Sequence, residues 1–170
     1  MIGIVETQAF REAMSRLGAA VNVITTAGPG GTHGMTASAV CSVSDEPASL
    51  LLCINRTTRM NAILKKNGRF AVNVLGAAQQ DVSRMFADPR LAMDERFTRC
   101  GPRRDVCGDL PGLSDALAVI GCSIESVSEV GTHSVFIGVV EELVLGRTGS
   151  GLVYYDRAYH HLAASGGAGS

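Results

Sequence analysis

Between Met35 and Ser44 the chain alternates two kinds of side chain. The first set is Met35, Ala37, Ala39, Cys41 and Val43, and the second is Thr36, Ser38, Val40, Ser42 and Ser44. A period of two predicts a strand with one apolar face and one face of small, mostly hydroxyl-bearing residues. After a turn at residues 45–47, the apolar run from Ser49 to Ile54 has the length of a buried strand. The polar residues 55–58 then precede a predicted helix.

The remaining pattern predicts short helices and more strands. Apolar residues at helical spacing predict a first helix through Phe10, Met14 and Leu17, whose apolar stripe is expected to pack onto the sheet. Further helices are predicted after Thr58 and over Gln79–Phe86. Further strands are predicted over residues 20–26, 69–74, 117–130, 134–145 and 152–155. Residues 88–111 show little periodicity and are expected to form a long surface segment.

Six or seven strands with helices between only some of them do not fit a regular alternation of strands and helices. The pattern favours a mainly β fold, an antiparallel barrel with a few short helices attached. A chain of 170 residues suits one domain. We expect that domain to span residues 1–162, and the small-residue tail at 163–170 to be flexible.

Composition and charge exclude several classes of protein. Hydrophobic residues make up 46% of the chain, which excludes a disordered protein, and the formal net charge of −1 gives no reason to expect nucleic acid or an acidic membrane surface as a partner. No apolar stretch approaches the ~20 residues of a membrane helix. The first residues lack the pattern of a secretory signal, so a cytoplasmic location is expected.

The cysteines and histidines do not predict a metal site or a disulfide framework. Five cysteines without a signal peptide favour reduced thiols. Cys100 and Cys107 have no histidine pair at zinc-ligand spacing nearby. No metal is expected.

Two stretches could bind a ligand. The small hydroxyl face that includes Thr36 and Ser38 leaves room for a flat ligand, although the hydroxyls of an exposed strand also simply face solvent. Arg56, Thr57 and Thr58 offer a positive charge, hydroxyls and backbone N–H groups to a phosphate at a helix start. The same threonines also fit an ordinary helix N-cap.

The chain resembles the short-chain flavin reductases, the NAD(P)H:flavin oxidoreductase components of two-component flavin monooxygenases. The resemblance covers nearly the whole chain. Its motifs are FREAMSRLGAAVNVITT from Phe10, GMTASAVCSVSDEPASLLLCINR from Gly34, FAVNVL from Phe70, GTH from Gly131 and GLVYYDRAYH from Gly151. The chain resembles two subfamilies, and the sequence does not favour one over the other: the reductase partner of 4-hydroxyphenylacetate 3-monooxygenase and the flavin reductase of pyrimidine utilisation.

The resemblance implies an FMN-binding split barrel of the Greek-key type, a homodimer, and flavin near the subunit interface. Flavin contacts then become the better interpretation of the hydroxyl strand and of the helix start. The implied flavin-binding residues are Thr36, Ala37, Ser38, Ala39, Val40, Cys53, Ile54, Asn55, Arg56, Thr57 and Thr58. No catalytic side chain is expected, because hydride passes directly between two cofactors.

A second set of residues is assigned to the nicotinamide nucleotide. His133 follows the Gly-Thr pair of the motif, whose histidine the family associates with that nucleotide. Tyrosine rings can stack on a planar cofactor, and an arginine can hold a diphosphate. The set is His133, Tyr154, Tyr155, Asp156, Arg157 and Tyr159. The tyrosine-rich cluster also suits a strand at a dimer interface.

The implied function is an NAD(P)H-dependent reductase that transfers hydride to FMN or FAD and supplies reduced flavin to a separate oxygenase. Two alternatives use the same barrel. One is a non-catalytic flavin-binding module, and the other is a specialised reductase with tightly bound flavin that acts on a larger acceptor such as a corrin. The sequence does not choose between FMN and FAD or between NADH and NADPH.

Overall fold

The computed structural model describes residues 5–164. The helices are α1 Thr7–Ser15, α2 Arg59–Asn67, α3 Gln80–Ala87 and α4 Met93–Arg99, with a single 3-10 turn at Ala77–Gln79. The strands are β1 Ala19–Ala20, β2 Asn22–Thr26, β3 His33–Ala37, β4 Val40–Asp45, β5 Ala48–Asn55, β6 Arg69–Val74, β7 Arg103–Val106, β8 Leu110–Leu113, β9 Ala118–Val130, β10 His133–Leu145, β11 Gly151–Tyr155 and β12 Ala158–Leu162.

Seven strands form one antiparallel sheet in the order β3-β2-β6-β9-β10-β5-β4. The edge strands β3 and β4 are consecutive in the chain and are joined only by Ser38 and Ala39, so the sheet must curl until its two edges approach each other. The Cys53 amide donates to the Ala39 carbonyl at 3.0 Å and ties this junction to β5. The predicted antiparallel barrel is therefore confirmed.

Two smaller sheets extend the barrel. Strands β1, β11 and β12 form a three-stranded sheet in the order β1-β11-β12, and β7 pairs with β8 as a hairpin. Residues Asp156 and Arg157 make the tight turn between β11 and β12 in the left-handed conformation, with φ of 47° and 61°. This hairpin stands beside β3 and forms one wall of the cleft described below.

Alternating side chains divide the apolar residues into two cores. On β6, Phe70 and Val72 point into the barrel and Ala71 points to the other side. The barrel interior contains Ile24, Leu50, Leu52, Ile54, Met60, Leu64, Phe70, Val72, Cys122 and Phe136. The second core lies outside the barrel and includes Phe86, Phe97, Leu110, Leu113, Val119 and Leu152. Helices α3 and α4 therefore pack by their phenylalanines onto the outside of the barrel.

Helix α2 forms where the sequence predicts a helix. Thr58 is its N-cap and accepts a hydrogen bond from the Asn61 amide. Gly68 ends the helix with a left-handed φ of 69°, a conformation that costs glycine little. The buried residues of α2 are Met60, Asn61, Ile63 and Leu64. The helix thus closes one end of the barrel and presents its N-terminus beside β3.

Two expectations are wrong. Helix α1 does not pack onto the sheet, because Phe10, Met14 and Leu17 of its stripe are 55%, 42% and 62% exposed. The segment 88–111 is not a plain surface segment, since it contains α4, β7 and part of β8 and buries Arg96 and Phe97. Phe97 anchors this segment through an edge-to-face contact with Phe86, with the ring centroids 5.3 Å apart. Buried side chains that are several residues apart leave no periodic pattern in the sequence, so the pattern did not predict this packing.

The predicted flexible tail lies mostly outside the described residues and stays a prediction, as does the domain boundary at residue 162. In the described part of the chain, no helix has the length and apolar character needed to cross a membrane.

Candidate functional site

A continuous cleft runs along β3. Its first half is a cavity of about 330 Å³ lined by Val21, Thr36, Ala37, Ser38, Ala87, Tyr154 and Tyr159. Its second half is a cavity of about 390 Å³ lined by His33, Met35, Thr36, Thr58, Arg59, Met60, Phe86, Ala87, Pro89 and Arg96. Thr36 and Ala87 line both halves, so the two cavities form one site, here called the β3 cleft.

A larger cavity of about 600 Å³ lies elsewhere, between residues 76–82 and the loop at 147–150. It contains none of the residues that the sequence assigns to a ligand, whereas the β3 cleft contains six of them: Thr36, Ala37, Ser38, Thr58, Tyr154 and Tyr159. We therefore take the β3 cleft as the candidate site.

The apolar half of the cleft has a wall of aromatic rings held in place by hydrogen bonds. Tyr154 and Tyr159 meet edge to face, with ring centroids 5.3 Å apart. The Tyr159 hydroxyl lies 2.9 Å from the Ser83 hydroxyl, and Thr36 donates to the Ser83 carbonyl at 2.6 Å. Ser83 is fully buried and joins β3 to β12 through α3. Sequence analysis missed it because a lone helical serine carries no distinguishing pattern.

The other half of the cleft is basic. Arg59 is the first residue of α2, and Arg96 reaches the cleft from α4. His33, at the start of β3, adds an imidazole to the same cavity. None of the three was among the predicted ligand residues. Only the folded chain brings α4, and with it Arg96, beside β3.

The predicted phosphate-binding turn is ordered by its own side chains. Asn55 Oδ1 accepts hydrogen bonds from the Thr57 amide and hydroxyl, both at 2.9 Å. Arg56 forms an ion pair with Glu129 at 3.0 Å and donates to the Gly131 carbonyl at 3.3 Å. Within this turn, Thr58 lines the β3 cleft, while Asn55, Arg56 and Thr57 do not.

Glu129 lies at the centre of this cluster. Lys65 donates to its carboxylate at 2.6 Å, and the Ser134 hydroxyl donates at 2.9 Å. These hydrogen bonds, the one from Lys65 first, lower the pKa of Glu129 despite some desolvation. Glu129 is thus a stable anion that already engages the Arg56 guanidinium.

The strand residues predicted to bind flavin separate by face. Ile54 is 1% exposed and points into the barrel, and its carbonyl accepts from Asn61 Nδ2 at 3.1 Å. Val40 packs against the same barrel core. Cys53 lies on the outer face, beside Ala39, and burial raises the pKa of its thiol. Only Thr36, Ala37 and Ser38 of the predicted strand set line the cleft.

The residues predicted to bind nicotinamide also divide into groups. Tyr154 and Tyr159 line the cleft, and Tyr155 packs on His160 instead. Arg157 pairs with Glu12 of α1 at 2.6 Å, and the Asp156 amide donates to the Ser15 carbonyl at 2.7 Å. These two turn residues therefore hold α1 against the hairpin.

His133 lies at a different place. It begins β10 directly opposite Asn55 of β5, and its Nδ1 is 2.9 Å from the Thr132 hydroxyl. The Arg56 amide donates to the Thr132 carbonyl at 2.9 Å. The structure thus brings His133 to the turn at residues 55–57, away from the tyrosine wall.

Among known protein families, one matches most of this chain. A family model described as the flavin reductase like domain matches residues 14–163. The chain belongs to the flavin reductase family. The resemblance noted in the sequence is thereby confirmed.

Individual relatives cover nearly the whole chain. The 4-hydroxyphenylacetate 3-monooxygenase reductase component of Pseudomonas aeruginosa is 48% identical over 156 residues, which are 91% of this chain and 91% of the relative. The FMN reductase (NADH) RutF of Cronobacter turicensis is 46% identical over 158 residues, 93% of this chain and 94% of the relative. The structure of a Streptomyces globisporus NADH:FAD oxidoreductase in complex with NAD and FAD fragments is similar with a TM-score of 0.84 and 26% identity, covering 95% of this chain and 97% of that one.

One glycine of this flavin reductase family member keeps the cleft wall in place. Gly34 is buried in β3, and a Cβ added there would lie 2.8 Å from Cδ1 of Phe86, a ring that lines the cleft. We expect Gly34→Ala to lower the free energy of unfolding by about 1–3 kcal/mol, because the ring must move in a packed core. The displaced ring should also weaken flavin binding.

Denaturant unfolding and a flavin titration check both effects. Gly18→Ala is the matched control, since its added Cβ would meet only ordinary contacts, the nearest being Val153 at 3.6 Å. If both glycine variants unfold at the same denaturant concentration as the parent protein, Phe86 does not pack against Gly34 as described.

Proposed function

We propose that this protein is an NAD(P)H-dependent flavin reductase that transfers hydride to FMN or FAD and supplies the reduced flavin to a separate flavin-dependent oxygenase. The observation that carries the proposal is the β3 cleft, which joins an apolar, tyrosine-walled half to a basic half in a chain of the flavin reductase family. A flavin has the same two parts, a flat ring system and a phosphate.

The flat ring fits the apolar half of the cleft. The small side chains of Ala37 and Ser38 leave room for it, and the edge strand β3 offers backbone groups on the side that does not pair with β2. Tyr154 and Tyr159 would lie beside the ring, where a nicotinamide must approach it. We propose that these residues, with Thr36 and Thr58, carry flavin binding, and that Ala39, Val40, Cys53 and Ile54 contribute through the backbone.

The residues of the β3 cleft contribute by binding and orienting the flavin and the nicotinamide. The hydride chemistry belongs to the flavin and the nicotinamide when both are bound, so no side chain has to supply an acid or a base. The Thr36–Ser83–Tyr159 hydrogen bonds fix one wall of the cleft, and a fixed wall holds two rings in a reactive arrangement.

His133 is proposed to contact the nicotinamide nucleotide, and the ordered turn that it faces, at Asn55, Arg56 and Thr57, remains proposed to bind the flavin. Tyr155, Asp156 and Arg157 stay proposed as further nicotinamide contacts, and the last two residues also contact α1. The observation in favour of His133 is its position opposite Asn55 in the sheet.

The proposed partners are a second copy of this chain and a separate oxygenase in the cytoplasm. For the oxygenase, the support is the P. aeruginosa relative, which is named as a reductase component of a monooxygenase.

The support for the homodimer is an apolar patch on the outer face of the barrel. Its residues are only half-buried in the single chain: Leu51, Cys53, Val135 and Ile137. Sedimentation analysis of the parent protein and of Ile137→Asp tests it, since a dimer through this patch should become monomeric.

An anaerobic assay tests the proposed activity. Purified protein is mixed with a large molar excess of FMN, NADH is added, and the flavin absorbance is followed. Bleaching over several turnovers supports the reductase. A single bleaching equal to the bound flavin would favour a specialised reductase with a larger acceptor, and bound flavin that NADH does not bleach would favour a non-catalytic module. The same assay with FAD, NADPH and His133→Ala then resolves the cofactor preferences.

A further inference from the structure

The cavity of about 600 Å³ lies at the opposite end of α3 from the β3 cleft. Val82, in the first turn of the helix, lines this cavity, whereas Phe86 and Ala87, at the end of the helix, line the cleft. We call it the second cavity. Its volume is in the range of small-molecule binding sites, and the proposed flavin chemistry uses none of the residues that line it.

The loop that follows β10 forms one wall of the second cavity and is fixed at both ends. At its start, the Gly146 amide donates to the Leu117 carbonyl at 2.9 Å, and at its end the Ser150 carbonyl accepts from the Ala77 amide at 2.8 Å. Only glycine fits the first position, because an added Cβ would lie 2.0 Å from the Ala116 carbonyl oxygen. The side chains between these two anchor points are therefore kept at the cavity.

Gln79 contributes a buried hydrogen-bond donor to the cavity wall. It is only 7% exposed, and its Oε1 accepts from the Gly76 amide at 3.1 Å. That bond establishes which end of the carboxamide is the oxygen. The Nε2 atom carries two N–H groups, and it donates to no atom of residues 5–164. A buried donor without a partner is costly, and an acceptor in the cavity would provide one.

Two opposite charges line the same cavity. Arg147 comes from the loop after β10, and Asp115 comes from the turn between β8 and β9. Neither forms an ion pair within 4.0 Å with any residue from 5 to 164, so they do not neutralise each other. Both side chains belong to exposed residues, and water solvates each charge separately. A ligand that matches both charges carries an anionic group and a cationic group.

The rest of the wall favours an aliphatic ligand. It contains small and branched apolar side chains, those of Ala77, Ala78, Val82 and Leu117. None of the described residues that line the second cavity is aromatic, in contrast to the tyrosine wall of the β3 cleft. A flat ring system would therefore find no stacking partner here, whereas an aliphatic chain would contact apolar surface.

We propose that the second cavity binds a small zwitterion, an α-amino acid with an aliphatic side chain. Arg147 and Gln79 Nε2 bind its carboxylate. Asp115 accepts hydrogen bonds from its ammonium group, and the aliphatic chain lies against Val82 and Leu117. The second cavity shares no lining residue with the β3 cleft, so the proposal does not depend on the flavin chemistry.

L-leucine and two of its analogues provide the test. Isocaproate lacks the ammonium group of leucine, and isoamylamine lacks its carboxylate. Isothermal titration calorimetry of the parent protein should show binding of L-leucine, with each analogue bound about tenfold more weakly, because each loses hydrogen bonds to a charged group. FMN at saturating concentration should not displace L-leucine, since the flavin belongs to the β3 cleft.

Three variants assign the contacts. Arg147→Gln should weaken L-leucine binding about tenfold and leave isoamylamine binding unchanged, and Asp115→Asn should do the same with isocaproate as the unaffected analogue. Gln79→Glu keeps an acceptor for the Gly76 amide but loses the donor, so it should weaken binding of both carboxylates. Arg11→Gln is the matched control, since Arg11 is exposed on α1 and lines neither site. It should bind L-leucine like the parent protein.

Absence of L-leucine binding by the parent protein at millimolar concentration would overturn this proposal. Isocaproate binding as tight as that of L-leucine would also overturn it, because Asp115 would then have no part in recognition. Displacement of L-leucine by FMN would place the amino acid in the β3 cleft and would contradict the proposal as well. The anaerobic flavin assay decides the proposed reductase function separately, whichever of these results is obtained.

Discussion

Replacing Asn73 by alanine is expected to lower the free energy of unfolding by roughly 3–5 kcal/mol. Asn73 is fully buried on β6. Its Nδ2 donates to the Val23 carbonyl at 2.9 Å and to the Thr25 hydroxyl at 3.2 Å, and its Oδ1 accepts from the Leu113 amide at 2.7 Å. Alanine leaves these buried groups without partners, at about 1–3 kcal/mol each before relaxation.

Urea unfolding of the parent protein and of the variant measures the change. Gln8→Ala is the control, because it removes a carboxamide that is exposed on α1, and its replacement should change stability by no more than about 0.5 kcal/mol. An Asn73→Ala protein that unfolds like this control would mean that the amide does not link β6 to β2 and β8.

The second large effect is expected inside the barrel, where Phe136→Ala should cost about 3–5 kcal/mol. Phe136 is fully buried in β10 and lies opposite Leu52 of β5, in the core that also contains Phe70. Removing a buried ring loses its transfer free energy and leaves a cavity that a closed barrel cannot easily collapse to fill. Denaturant unfolding monitored by circular dichroism gives the value.

Phe136→Leu is the comparison at the same position. It keeps most of the apolar volume and should cost less than about 1.5 kcal/mol. A loss below about 1 kcal/mol in the alanine variant would contradict a fully packed ring at this place.

Much of the fold could be predicted because its strands have a clear period. The alternation from Met35 to Ser44 and the apolar run up to Ile54 become β3, β4 and β5, and the long strands β9 and β10 lie where the sequence predicts them. Helix α2 was also predicted, since Thr58 and Gly68 mark its two ends with local hydrogen bonds and a left-handed residue. These signals are local, and the sequence contains them directly.

The candidate site could be predicted only in part. Thr36, Ser38 and Thr58 were recognised because they belong to motifs. His33 and Arg96 were not, since a single histidine and a single arginine have no periodicity to distinguish them. Conversely, the basic and hydroxyl character of residues 56–57 suggested a phosphate site, but Glu129, distant in the sequence, engages Arg56.

The sequence by itself determined the family, the antiparallel barrel and the strand at the centre of the candidate site, because strand periodicity, helix caps and ordered motifs are properties of neighbouring residues. The tertiary structure decided which half of the cleft is basic, which tyrosines line it, and that the stripe of α1 stays exposed. Those outcomes depend on long-range packing: α4 must reach β3, the β11–β12 hairpin must reach α3, and a charge such as Arg96 acquires its role only where the fold buries it.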